Sequence, residues 1–274
     1  MFAHYALTLS LAMADRSIDQ AKSAKSTSLR SAPPAKVNLG AIYYRPIFLS
    51  LYDFWVLGLS NSYAWRCPTR TVLLPFFESN FSSHHIDIGV GTGFFPATAL
   101  KSRQQHSLAE NGVDDGSSSF KQLTLVDLNA NSLSSAAKRV GRPDQTRCLV
   151  ADAFQPLPLA LVDGKPERFG SISLFYLLHC LRGPSSSKGK LFSNLKNNLE
   201  DDGVLFGATV LGKGDFKHNL FGMGLMLFYN GIGLFDNWKD TERDFVAALR
   251  ENFNEVESKV VGCTLLFKAS KPKR

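Results

Sequence analysis

From residue 85 onward, short apolar runs alternate with segments whose apolar residues recur at helical spacing. The apolar runs at 85–88, 123–127, 147–150, 171–176 and 203–209 read as strands, and 93–104, 130–140 and 186–199 between them read as helices. A helix at 241–253 then leads into two strands near 256–261 and 263–268, joined by a tight turn at Gly262-Cys263. Alternation of this kind predicts an α/β fold: a doubly wound, mostly parallel sheet of seven strands ending in an antiparallel hairpin. Residues 42–78 are rich in aromatics at helical spacing, and Cys67-Pro68-Thr69 restarts a helix with proline near its first turn, so a helical preface is expected before the sheet. Residues 106–121, with Asn111-Gly112 and Asp114-Asp115-Gly116, have the chemistry of a surface loop. Residues 211–239 break the alternation with a Gly- and Phe-rich stretch around Phe221-Gly222-Met223-Gly224, read as a lid-like insertion.

Residues 1–35 are small, polar and Ala/Ser-rich and end in Pro33-Pro34, which predicts a disordered N-terminal extension before one domain at 36–274. The formal charge of +7 suggests a nucleic-acid partner until it is mapped. The first 35 residues carry +2 and residues 268–274 carry +4, so the body is close to neutral and offers no basic face to a phosphate backbone. Neither nucleic acid nor membrane is expected as a partner, because no apolar run reaches the ~18 residues of a span. Cys67, Cys148, Cys180 and Cys263 are scattered, which fits a reducing compartment and no disulfide framework. The expected location is cytoplasmic. A mitochondrial presequence is the lesser reading of the basic, Ser-rich 16–30, with Asp15 and Asp19 against it.

The first strand ends Ile86-Asp87-Ile88-Gly89-Val90-Gly91-Thr92-Gly93. Glycines at a strand-to-helix turn adopt unusual φ/ψ and let a ligand approach the backbone. The nicotinamide fingerprint fails at Phe94, which stands where Gly or Ala is needed, and no Lys-Ser/Thr pair completes a phosphate loop. The second strand ends in Asp127, whose carboxylate offers paired acceptors suited to the two hydroxyls of a ribose; capping the next helix is its plainer role. The third is followed by Asp152-Ala153-Phe154, and the fourth runs through Leu177-Leu178 to His179. Ligands of doubly wound sheets bind at these carboxyl ends.

Asp87 with its glycines, then Asp127, then Asp152, in that order and strand context, resembles the class I methyltransferases that use S-adenosylmethionine (SAM), over residues ~42–268. The resemblance implies SAM as cofactor. Asp87, Gly89, Gly91 and Gly93 would hold its methionine end, Asp127 its ribose, and Asp152, Ala153 and Phe154 its adenine. Tyr52, Asp53, Phe54, Trp55 and Arg66 lie where this family often folds a helix over the cofactor. The implied activity is methyl transfer to O, N or C of a small-molecule acceptor, with a place in secondary metabolism. The alternative is a SAM-binding protein that catalyses a rearrangement or cyclisation, or only binds.

Methyl transfer is an in-line displacement, so the protein aligns the nucleophile and, for a hydroxyl, removes a proton. His179 is the candidate base, with packing beside the cofactor as its other reading. His84 and His85 precede the first strand at the opposite edge and read as surface or packing residues. No Asn/Asp-Pro-Pro-Tyr/Phe or Pro-Cys follows the fourth strand, which disfavours DNA methylation, and no Asp pair or metal-ligand spacing points to a metal.

Overall fold

The computed structural model describes residues 54–111, 120–162, 164–212 and 217–274. The 1–35 extension, the 42–53 part of the preface, the 112–119 part of the insertion and 213–216 of the lid lie outside them. Parallel strands β1 (His84–Ile88), β2 (Gln122–Asp127), β3 (Thr146–Val150), β4 (Phe169–Phe175) and β5 (Leu199–Val210) are joined by an antiparallel hairpin, β6 (Phe253–Val261) and β7 (Thr264–Pro272), in the order β3-β2-β1-β4-β5-β7-β6. The order reverses beside β1, so β1 and β4 flank the switch point where such sheets bind ligands.

The central strands β1, β2 and β4 are buried on both faces, whereas the edge strands β3 and β6 are partly exposed. Helices α1 (Leu74–Asn80), α2 (Phe94–Asn111) and α3 (Ala130–Val140) cover one face, where Phe77, Phe95, Leu100, Leu133 and Ala136 pack on Leu123, Leu125 and Phe206. On the other face α4 (Ser185–Lys188), α5 (Lys190–Leu195) and α7 (Glu242–Asn252) bring Leu191, Phe192, Phe245 and Leu249 onto Ile86, Ile172, Leu174 and Leu205. Asn129 caps α3 by accepting the Asn131 amide at 2.9 Å, and Gly141 ends it in the left-handed region.

Several boundaries differ from the sequence reading, the terminal hairpin among them, which is longer than expected at Phe253–Val261 and Thr264–Pro272. The expected 186–199 helix is broken at Gly189, where α7 comes so close that a Cβ would lie 2.6 Å from Ala248 Cβ. Strand β5 begins at Leu199 rather than 203, because Leu199 pairs with Phe169 ahead of an irregularity before Ser171. Residues 106–111 continue α2 instead of opening a loop. A small hairpin, Leu161–Val162 with Lys165–Pro166, precedes β4.

The preface is a π-helical segment, Phe54–Ala64, followed by Thr69–Leu73 leading into α1. It packs on the lid helix α6 (Leu220–Gly231), where a Cβ on Gly222 would stand 2.8 Å from the Ala64 carbonyl. Asn219 caps α6 through the Gly222 amide at 2.7 Å and donates to the Tyr63 carbonyl at 2.6 Å. Met226 and Tyr229 are buried on the inner face of α6, whereas Leu220, Phe221 and Leu227 stay exposed, so the segment is both a covering helix and an apolar surface.

Candidate active site

The parallel register brings the strand ends to one edge: Asp87 pairs with Leu125 on one side and Ser173 on the other, and Asp127 with Val150. The glycine turn follows β1 with Gly89, Gly91 and Gly93 all at positive φ, 74°, 52° and 69°. Gly89 donates to the Val126 carbonyl at 2.8 Å, and a Cβ there would meet Leu177 at 2.8 Å. At Gly93 a Cβ would lie 2.8 Å from both Cα and Cβ of Ala136, so this glycine lets α2 and α3 approach. Gly91 is exposed and has nothing within 4 Å of a Cβ, which leaves open space beside the turn.

Asp87 is buried and hydrogen-bonded to Ser173 Oγ. Burial pushes its carboxyl up to about 7, against the Ser173 hydrogen bond and with help from the Asp127 charge. Half-buried Asp127 accepts the Asn129 amide at 2.8 Å, together with the amides of Gly91 and Leu128. Burial still holds its carboxyl above the usual range. Asp152 is exposed, and one oxygen accepts the Phe154 amide at 2.9 Å. Ala153 is buried and Phe154 half-buried, its carbonyl fixed by Asn194 Nδ2 at 2.8 Å. The glycine turn, Asp87 and Asp127 therefore share one edge of the sheet, with Asp152 on the next strand outward.

His179 lies in the short turn after β4, 2 % exposed, between Tyr176 and Phe235 with ring centroids at 5.4 and 4.3 Å. Its Nδ1 accepts the Val210 amide at 3.3 Å, so the neutral ring carries its proton on Nε2. Burial, then the Lys188 charge, pushes its pKa down to about 3.

The aromatic shell continues through Phe235 to Tyr229 at 4.9 Å and Trp65 at 6.2 Å. Trp55 Nε1 donates to Tyr229 Oη at 3.2 Å, and Arg66 donates to the Lys217 carbonyl at 2.8 Å, tying the preface to the lid. Tyr52 and Asp53 lie outside the described residues, as does the side chain of Phe54.

Methyltransferase aurB of Calcarisporium arbuscula is 44% identical to this chain over 232 residues, 84% of this chain and 96% of the relative. Methyltransferase verB of Penicillium polonicum is 48% identical over 229 residues, again 84% and 96%. The chain belongs to this methyltransferase family. A further relative, the physcion biosynthesis cluster O-methyltransferase of Aspergillus chevalieri, is 44% identical over 85% of this chain and 96% of its own length. No protein-family model matches the chain. Among solved structures, an O-methyltransferase family protein from Burkholderia thailandensis has a TM-score of 0.54 at 11% identity, covering 88% of this chain and 65% of its own. PigF with SAH has a TM-score of 0.53 at 14% identity, over 97% and 70%. Both share the fold.

Sequence reasoning missed several residues of this methyltransferase. Tyr176 directly follows β4 at φ 58°, in the left-handed region, with its buried hydroxyl beside Thr264. Lys188 and Asp240 form a buried ion pair at 2.6 Å under the lid. His85 is not ahead of the first strand but inside β1, fully buried, with both ring nitrogens engaged by serines. Its signal was His-x-Asp at 85–87 facing Ser-x-Ser at 171–173, legible only once the register is known. His84 is half-buried, 3.3 Å from Glu167.

Proposed function

We propose that this methyltransferase uses SAM to methylate a hydroxyl of a small, largely apolar molecule. The observation that carries the reading is the turn of three positive-φ glycines after β1, with Asp87 buried beneath it and Asp127 accepting the Gly91 amide. A nucleoside bearing a cationic amino-acid tail fits that donor set: Asp87 and the glycine amides hold the methionine end, Asp127 the ribose, and Asp152, Ala153 and Phe154 the adenine. SAM, when bound, supplies an already activated methyl. The chain's own residues orient the acceptor and keep water out. O-methyltransferases among the relatives support oxygen as the acceptor atom. Trp65, Tyr176, Tyr229 and Phe235 supply an apolar wall for the acceptor. Methyltransferase names among these relatives favour this reading over a protein that only binds SAM.

Incubation with SAM and a panel of hydroxylated aromatics is expected to give methyl ethers, read as the mass gain of one methylene. SAM or its demethylated product, SAH, at 100 times its dissociation constant should stabilise the protein by ~2.7 kcal/mol. A folded sample whose melting temperature moves with neither ligand would overturn the reading.

In this reading His179 positions the acceptor. A ring whose Nδ1 already accepts an amide presents Nε2–H as a donor, and with a pKa of about 3 it stays neutral through the working range. Removing its packing with His179→Ala should lower the melting temperature and weaken acceptor binding, leaving any rate loss between pH 5 and 7 unchanged in shape. An acidic limb near pH 6.5 in the wild type that vanishes in His179→Ala would show instead that His179 takes the acceptor's proton.

A further inference from the structure

Beneath Asp87 a line of polar side chains runs through the sheet to its opposite edge. Ser173 Oγ contacts Asp87, His85 Nε2 lies 2.9 Å from Ser173 Oγ, and His85 Nδ1 lies 2.6 Å from Ser171 Oγ. Ser171 Oγ lies 2.9 Å from Ser82 Oγ and accepts the Ser82 amide at 2.9 Å, and Ser82 Oγ reaches the His84 carbonyl at 2.8 Å. His85, Ser171 and Ser173 are completely buried, and Phe77, Phe81 and Phe206 wall in the imidazole. The charged and titratable groups facing this line are Asp127 from β2, Arg103 from α2 and His84 from β1. Burial first, then Arg103 and His84, holds His85 well below its ordinary pKa, so the ring stays neutral.

Each contact has room for one proton, and the count discriminates between two arrangements. With Asp87 as the neutral acid, Asp87 donates to Ser173, Ser173 to His85 Nε2, His85 Nδ1–H to Ser171, Ser171 to Ser82, and Ser82 to the His84 carbonyl. Every contact is satisfied. With Asp87 ionised, Ser173 donates to the carboxylate, His85 Nε2–H to Ser173, and Ser171 to Nδ1. Ser82 must then serve either Ser171 or the His84 carbonyl, and one hydrogen bond is lost.

We propose that Ser82, Ser171, His85 and Ser173 are positioning residues that hold Asp87 as a neutral acid in the cofactor-free protein, so that cofactor binding expels one proton. The cationic amino group of the cofactor favours the carboxylate and reverses the line. Asp87 passes its proton to Ser173, Ser173 passes its own to Nε2, Nδ1 passes its own to Ser171, and Ser171 passes its own to Ser82. The Ser82 proton leaves to solvent from that half-buried edge. One proton leaves and the ring remains neutral throughout. The inference rests on the cofactor reading above.

The test is calorimetric titration of the full chain with SAH in two buffers of different ionisation enthalpy. Near pH 6 the binding enthalpies should differ by the amount for about one released proton, falling to none by pH 9. Ser82→Ala, remote from the cofactor, removes the acceptor that favours the neutral arrangement. It should move the midpoint of this release downward by about half a pH unit or more, one net hydrogen bond being worth roughly 0.7 of a unit. Ser82→Thr should restore it. Tight SAH binding with buffer-independent enthalpy from pH 6 to 9 overturns the inference and leaves the cofactor reading standing. A Ser82→Ala midpoint equal to wild type overturns the role of the line. Failure of SAH to bind at any pH removes the cofactor reading itself, and the inference with it.

Discussion

Replacing Lys188 with methionine is expected to cost roughly 3–5 kcal/mol, measured by urea denaturation at pH 7. Lys188 Nζ donates to Asp240 Oδ2 and to the Asp236 carbonyl, both at 2.6 Å, and the two charged side chains are 0% and 1% exposed. The ammonium thus holds two groups of the segment that leads from the lid into α7, while Ser185 Oγ, at 3.4 Å, is Asp240's other side-chain partner. Removing the lysine strands a carboxylate in the interior, and that uncompensated charge is most of the cost. Burial already lifts the Asp240 carboxyl to about 6 despite Lys188. The sign follows: a carboxyl whose pKa is raised on folding costs stability as pH climbs from its unfolded value near ~3.9 through the folded one. In the wild type that cost accrues between about pH 4 and 6. Without the lysine the folded pKa rises further, so the stability deficit of Lys188→Met should grow above pH 6. The double variant Lys188→Met/Asp240→Leu should recover most of the loss, because apolar packing replaces both charges. A single variant as stable as wild type would mean that the pair anchors nothing.

The ion pair marks the limit of what the chain discloses in one dimension. The strands were legible because β1, β2 and β4 are short segments rich in Ile, Leu, Val and Phe between turn signals, even though β1 and β4 also bury His85, Asp87, Ser171 and Ser173. The acids were legible as strand-end residues because each stands at or just past the end of an apolar run: Asp87 in β1, Asp127 closing β2 and Asp152 just after β3. Gly93 could be flagged as a turn glycine, but its contact with Ala136 of α3 needs the packed helices. Lys188 and Asp240 are 52 residues apart, and each alone looks like an ordinary surface charge. His85 was misplaced by one strand boundary: a histidine in a run ending His84-His85 looks like loop chemistry until two serines 86 and 88 residues away close on its ring. Helix α4 and α5 were read as one because Gly189 breaks them through tertiary contact with Ala248, which no local propensity records. Periodicity thus yields elements and edges, whereas partners across the sheet need the register.

Asp127→Ala is expected to weaken SAH binding by roughly 10²–10³-fold, well beyond the loss in Asp152→Ala. A carboxylate holding both ribose hydroxyls makes two charge-assisted bonds, each worth about 1.5–3 kcal/mol before compensation by water. Asp127 is prepared for that role: it is half-buried, and the amides of Asn129, Gly91 and Leu128 fix its orientation. Asp152 is exposed and spends one oxygen on the Phe154 amide, so its alanine variant should lose about tenfold at most. Stability should separate from affinity. Burial raises the Asp127 carboxyl, so the ionised group costs the folded protein free energy at neutral pH, and alanine relieves that cost while giving up the three amide contacts. The melting temperature of Asp127→Ala without ligand should therefore stay close to wild type while the SAH-induced shift collapses. The Asp127 charge also helps keep Asp87 protonated, so its removal should lower the pH at which the Asp87 proton is lost. Calorimetry giving wild-type affinity for Asp127→Ala would take this residue out of the ribose site and leave the second strand end as a helix cap.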